Sequence, residues 1–511
     1  MSFKVHQLFS YLLLFIITIG LFTYLQLDPT FADPDSFYHA KITEILARGG
    51  VITEFPWLSA TTLRYNFVDH HFLYHLVLIP FIKLFYPLVG LKIATILFAT
   101  LTILVIYWFL RRLNVNGAFW YALFLLTVNP FIFRLNLAKA QALAIALFFV
   151  IIYLISSRRY LSLSLVSFFY VWLYGGWPII LILAVVYSLM NWFWVSRQRQ
   201  RLFFKLKKLK IYWQSLLIII STVVGLAAGL FFSPYFPKNL EFYWQQSFKI
   251  AVLNFQYIID VGGEWYPYKI WDLILAATPF FTLFIFALFV FFYSLKKQAM
   301  HSWFFLVLSL LFLALTIKSR RYVEYFIPVS VCFSALSLNI YWDLYKEKLN
   351  KFLTWRYVRL LLLIIILTLC PVFFRDLEAI KISYSKGFSF NKFAQAADWL
   401  KEHSQQGDIV YHGDWDEFPL LFFHNDKNYY IVGLDPTFMY EYDKDMHRTY
   451  VEINAGQAKD NLAQIIKKVF GAKYIFVDFN QNDELDRNLA NNFYFQKVYE
   501  DKEARIYQLA E

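Results

Sequence analysis

The chain is 511 residues long, 59% hydrophobic, 21% aromatic and only 16% charged, with a formal net charge of +12. A soluble globular protein is excluded, because the apolar residues come in uninterrupted runs of about 20, the length that spans a bilayer core. The charge is divided: residues 1–374 hold 32 Lys and Arg against 13 Asp and Glu, whereas residues 375–511 hold 16 against 23. The basic excess belongs to loops between apolar runs, which argues against a nucleic-acid partner.

The first run, residues 8–27, is longer than a signal-peptide core and lacks a small-residue cleavage site, so it predicts an uncleaved span. Further apolar segments follow at 72–89, 91–110, 118–134, 140–156, 160–175, 177–196, 212–233, 270–293, 302–317, 322–341 and 357–374. The stretch 197–210, "RQRQRLFFKLKKLK", has seven basic residues and no acid, and anchors the cytoplasmic side. Propagated from there, 28–71, 234–269, 318–321 and everything after 374 lie outside. The N-terminus then lies inside, so the number of spans is odd. Segment 72–89, with His75, Pro80, Lys83 and Pro87, is the one expected to be a partial helix. The expected architecture is a polytopic α-helical membrane protein of about 11–13 spans.

Residues 375–511 have a different composition and predict an extracytoplasmic α/β domain. Helical periodicity at 390–404 and 458–471 alternates with strand-like 408–413, 428–434 and 473–479, which suggests a mainly parallel sheet. Cys332 and Cys370 lie in apolar runs and give neither a disulfide framework nor a metal spacing.

Nearly all of the thirteen early acids fall in the predicted outer loops. Asp28, Asp33 and Asp35 follow the first span within "LDPTFADPDSFYHAKI". Asp33 and Asp35 stand at the start of a helix-like stretch, where they can cap it or hold a divalent cation. In "YNFVDHHFLYH" (65–75), Asp69 is a second carboxylate, and the histidines of this stretch, His70 and His71 among them, are candidate metal ligands. Interfacial, hydrogen-bonded histidines are the plainer reading. Cations break the inside bias at Arg134 and Lys139, and at Arg320 and Arg321. Arginine binds phosphate oxygens bidentately and stays ionised near lipid, so a lipid phosphate or diphosphate is the anion these positions suit. In "VGGEWYPY" (261–268), Gly262 and Gly263 offer a hinge and Glu264 a further ligand.

With an acidic Asp-x-Asp motif after the first span, a long outer loop, many spans and a water-facing tail, the chain resembles the GT-C membrane glycosyltransferases. Within them it is most similar to the oligosaccharyltransferase catalytic subunit. "DPDSFYHAKI" resembles that family's first-loop motif, and "VDHHFLYH" resembles the Asp-His-His element of its archaeal members. The resemblance implies a polyprenyl-phosphate or -diphosphate sugar donor, a protein, glycan or lipid acceptor, and room for a divalent metal such as Mg or Mn. It implies Asp35 as catalytic base or metal-ligating carboxylate, with Asp33 and Asp69 beside it, and Arg320 and Arg321 at the carrier phosphate. The family's Trp-Trp-Asp motif is absent; Asp414, Trp415 and Asp416 stand in a similar place and become the candidate acceptor contacts. The implied location is a bacterial inner membrane. The competing class is a transporter or flippase of lipid-linked sugars, which would carry mid-membrane ionisable residues on broken helices.

Overall fold

The computed structural model describes residues 2–196, 202–253, 255–352, 355–458 and 461–510. Arg197, Arg199 and Arg201 of the basic anchor, and Lys459 and Asp460 of the expected 458–471 helix, lie outside the described residues. The chain divides into two compact units. A helical unit comprises Met1–Asp28, Ala94–Phe232 and Glu264–Lys386, and an α/β unit comprises Pro29–Ile93, Ser233–Gly263 and Gly387–Glu511.

Six described helices are long and apolar enough to cross a membrane: Gln7–Leu25, Pro87–Arg112, Pro178–Ser196, Leu209–Phe231, Met300–Lys318 and Arg320–Glu347. Two bent pairs raise the number to as many as eight if each pair is one broken span, Ala118–Leu125 with Asn129–Leu135 at 77° and Ile270–Ala276 with Thr278–Tyr293 at 98°. In each pair the second helix opens with a proline, Pro130 or Pro279, in its first turn, where the missing N–H leaves no bond unmade. The chain is thus an integral membrane protein. Among the described residues three further apolar helices, Phe72–Leu84, Gln141–Ser156 and Tyr160–Leu173, are shorter than a full span. The 72–89 segment breaks after Leu84, and its 13 residues rise only about 20 Å, short of a ~30 Å core. The expected boundary at residue 374 lies inside the Trp355–Ser385 helix.

Within the helical unit, Leu202–Phe231 packs closely on Tyr160–Leu173. Gly225 and Gly229 make this possible. A Cβ at Gly225 would stand 2.1 Å from the Ser164 carbonyl oxygen, and one at Gly229 would stand 2.8 Å from that of Phe168. Trp172 Nε1 donates to the Gly229 carbonyl at 2.8 Å, sealing the contact.

The α/β unit is built on a five-stranded sheet in the spatial order Tyr429–Tyr430, Ile409–His412, Ala472–Asp478, Ala504–Leu509, Phe495–Glu500. Its strands are β3 (Ile409–His412), β4 (Tyr429–Tyr430), β5 (Ala472–Asp478), β6 (Phe495–Glu500) and β7 (Ala504–Leu509). β3 pairs in parallel with both β4 and β5, whereas β7 pairs antiparallel with β5 and β6. The mainly parallel expectation therefore holds for one half of the sheet. The other half is a hairpin, closed by Asp501, whose Oδ1 accepts from the backbone of Glu503 and Ala504 at 2.7 and 2.8 Å. The first long loop joins this domain: Ser59 N donates to Tyr430 O at 2.8 Å and Ala60 N to Ile431 O at 3.1 Å. A two-stranded ladder pairs β1 (Thr30–Phe31) with β2 (Phe388–Ser389). These ties fix the Asp35–Gly49 helix, whose Phe37 meets Phe423 edge-on at 5.8 Å and whose buried Lys41 pairs with Asp426 at 3.0 Å.

Candidate functional site

The acidic pair is organised by local chain geometry. Asp35 opens the Asp35–Gly49 helix, and its N–H donates to Asp33 Oδ1 at 2.9 Å. Asp33 thus satisfies one of the helix's free N–H groups, and the Asp35 carboxylate stands in the positive field of the helix start. Both carboxylates are half-buried.

Asp69 is placed quite differently. It is 6% exposed, its Oδ1 accepts the His71 N–H at 3.0 Å, and its Oδ2 lies 2.6 Å from His75 Nδ1. His75 Nε2 in turn meets His39 Nδ1 at 2.8 Å. His39 stands one turn beyond Asp35 on the same helix, so this buried Asp69–His75–His39 chain ties the Phe72–Leu84 helix to the one that carries the acidic pair. His70 packs against the ring of Phe242 at 5.3 Å and that of His71 at 4.0 Å. His39 belongs to no motif singled out in the sequence; its i+4 spacing from Asp35 is the one signal that points to it.

Asp414, Trp415 and Asp416 occupy the turn between β3 and the Phe418–His424 helix. Asp416 N donates to Asp414 Oδ1 at 3.4 Å, and Asp414 N to Glu417 Oε2 at 3.0 Å. Trp415 packs against the hydrophobic cluster around Tyr411, Tyr450 and Val477. Tyr450 Oη and Asn454 Nδ2 both donate to the Gly413 carbonyl, holding the turn from behind. Burial pushes the Asp416 carboxyl up to about 8, reinforced by the Asp414 and Glu417 carboxylates and opposed by Lys392. Asp35 adds to the same field, which puts the first-loop acid and the tail acid within electrostatic reach of each other. Burial raises Asp414 as well, against the Asp416 backbone N–H and His412, and Asp260 contributes in the same direction.

The expected phosphate-binding cations lie in the helical unit. Arg134, on Asn129–Leu135, is 7% exposed and already committed. Its Nε and Nη2 donate to Glu324 Oε2 at 3.0 and 2.8 Å, and its Nη1 donates to Glu264 Oε2 at 2.6 Å. Arg321 lies over the Trp265 ring at 4.4 Å, donates from Nη2 to Tyr174 Oη at 3.2 Å, and has Nη1 3.6 Å from Glu264 Oε1. The Tyr174 hydroxyl donates to Glu324 Oε1 at 3.3 Å. Arg320 is exposed; its Nε donates to the Pro267 carbonyl at 3.3 Å and its guanidinium faces the Tyr268 ring. Lys139 is half-buried and contributes to the field at Glu264. Burial alone would raise the Glu264 carboxyl, but the Arg321 and Arg134 guanidiniums outweigh it and hold the group well below the usual carboxylate range.

The five residues expected at a metal, Asp33, Asp35, His70, His71 and Glu264, are not assembled into a metal site. Among the described residues no group of three or more His, Cys, Asp and Glu side chains is arranged to hold a metal ion. Both Glu264 oxygens face guanidiniums, which is an environment for an anion rather than a cation.

The fold has relatives among solved structures. One is the oligosaccharyltransferase AglB from Archaeoglobus fulgidus, solved with an inhibitory peptide and a dolichol-phosphate. It matches with a TM-score of 0.66 and 13% identity, over 98% of this chain and 74% of that one. ArnT from Cupriavidus metallidurans, bound to undecaprenyl phosphate, matches with a TM-score of 0.57 and 13% identity over 97% of each chain. The mycobacterial arabinofuranosyltransferase AftD matches with a TM-score of 0.54 and 12% identity, over 98% of this chain and 40% of that one. No protein-family profile matches the sequence, and neither does any curated protein. At these identities the likeness is one of fold, and the chain has the GT-C fold that these glycosyltransferases share.

Proposed function

We propose that this chain is a membrane glycosyltransferase that moves a sugar or glycan from a polyprenyl phosphate or diphosphate to an acceptor on the extracytoplasmic face. The observation that carries the proposal is the pairing of a GT-C fold with a half-buried carboxylate, Asp35, held at a helix start in the first loop. A carboxylate so placed can accept the proton of an acceptor group as it attacks the sugar carbon. Arg321 and Arg134, with Arg320 and Lys139 as further cations, would take up the charge that develops on the departing phosphate. Asp33 holds Asp35 in place, and Asp69 does so through His75 and His39. Asp414 and Asp416 would meet the acceptor.

AglB and ArnT were solved with dolichol-phosphate and undecaprenyl phosphate, and these are the classes of carrier proposed here. The membrane proposed is a bacterial inner membrane, and the Lys/Arg bias of the loops supports the orientation that puts residues 375–511 outside. A transporter would place its ionisable residues near mid-span, whereas Arg321 and Glu324 stand in the first turns of the Arg320–Glu347 segment.

The test is a deletion strain rescued with wild type or Asp35→Asn, from which polyprenyl-linked sugars and surface glycans are profiled. A folded Asp35→Asn protein that lets lipid-linked donor accumulate while one glycan disappears supports the reading and identifies the acceptor. Full rescue by that variant overturns it.

A further inference from the structure

We infer that Glu264 is an anion the protein supplies to its own phosphate site: it bridges Arg134 and Arg321, and a phosphate group enters by displacing it. This inference rests on the reading of those arginines as a donor-phosphate site and says how that site is regulated.

The two Glu264 oxygens face different guanidiniums, Oε2 at 2.6 Å from Arg134 Nη1 and Oε1 at 3.6 Å from Arg321 Nη1. Two oxygens of one anion shared between two forked donors is how a phosphate would be held.

Arg134, Arg321, Glu264 and Glu324 make a neutral set, with Lys139 adding a weaker positive field. An incoming phosphate carries about −1.5 to −2, more than the single charge of Lys139 offsets, and the excess negative charge is costly where water is scarce. Entry without loss of a carboxylate is therefore disfavoured, and one of the two must leave.

Only Glu264 is built to do so. Glu324 is 1% exposed, sits in a regular helix and accepts three hydrogen bonds, two from Arg134 and one from Tyr174. The Glu264 side chain is 25% exposed and stands on the short Gly263–Trp265 turn. Gly262 and Gly263 precede it, and a side chain at Gly263 would meet nothing within 4 Å. Its one backbone tie among the described contacts is the Ser319 hydroxyl, donating to its carbonyl at 2.9 Å. When Glu264 leaves, Arg134 keeps Glu324 as its direct partner, while among the described contacts Arg321 keeps the Tyr174 hydroxyl, the Trp265 ring and the more distant field of Glu324. Arg321 is thus the guanidinium handed to the ligand.

The test measures binding of undecaprenyl phosphate and of inorganic phosphate to the full-length protein in detergent. Glu264→Gln should bind the lipid phosphate about tenfold more tightly than wild type, and Arg321→Gln should lose that binding. Tighter binding of the lipid alone identifies a lipid headgroup as the ligand; an equal gain for inorganic phosphate shows that the free anion suffices, and either supports displacement. Unchanged or weaker binding by Glu264→Gln overturns displacement and leaves the donor reading standing. Absence of lipid binding by both folded proteins overturns both.

A second measurement needs no variant. Hydrogen exchange of residues 263–265 in wild type should speed up when undecaprenyl phosphate is added. Unchanged or slower exchange with the lipid bound overturns displacement.

Discussion

The Asp69 carboxylate lies 2.6 Å from the His75 imidazole, with both side chains almost wholly buried. Asp69 is therefore linked through His75 and His39 to the helix that carries the acidic pair. Removing it strands a buried imidazole nitrogen, so Asp69→Ala should destabilise the protein by about 2–3 kcal/mol. Thermal unfolding in detergent checks this, and His75→Ala should have a comparable effect. The double variant should cost clearly less than the two losses added together, because the two residues share one bond.

Asp33 and Asp35 should separate cleanly on substitution. Asp33 works as a hydrogen-bond acceptor for the Asp35 N–H, so Asp33→Asn keeps the contact and most activity, while Asp33→Ala loses about 1 kcal/mol of helix stability. Asp35→Asn keeps the fold and lowers turnover by about 10²–10⁴ if the carboxylate is the proton acceptor. Glycan transfer assayed beside thermal unfolding distinguishes the two effects.

Asp416 makes stability depend on pH. Its folded pKa is raised, to about 8, from an unfolded value of about 3.9. The folded state thus binds the proton more tightly, and stability falls as pH rises from about 4 to about 8. Asp416→Asn should flatten that decline and stabilise the protein at pH 8 by about 1–2 kcal/mol, less than the full shift implies because the group is part-exposed. A steeper pH dependence in the variant would contradict the assignment.

Gly225 and Gly20 form a matched pair within helices. A Cβ at Gly225 would collide with the Ser164 carbonyl, whereas one at Gly20 meets nothing within 4 Å. Gly225→Ala should cost about 1–3 kcal/mol by forcing the two helices apart. Gly20→Ala should be neutral or slightly stabilising. Comparing their midpoints of thermal unfolding is enough.

The sequence by itself determined what depends on neighbours along the chain. A run of about 20 apolar residues satisfies its own backbone as a helix, so the membrane class and most apolar segments were legible. The strands at 409–412 and 472–478 and the helix opened by Asp35 follow from short-range patterning as well. Tertiary structure decided the partners. Arg134 reads as an available cation, yet its guanidinium meets Glu264 and Glu324, 130 and 190 residues away. The 58–60 segment reads as loop, yet it lines the edge of β4 about 370 residues later. Asp69 reads as a second carboxylate beside Asp35, and only the fold shows that its oxygens meet the His71 N–H and the His75 ring. In each case a charge or a hydrogen-bonding group acquires its role from what neutralises it. That partner is a matter of spatial packing, which local periodicity and spacing do not encode.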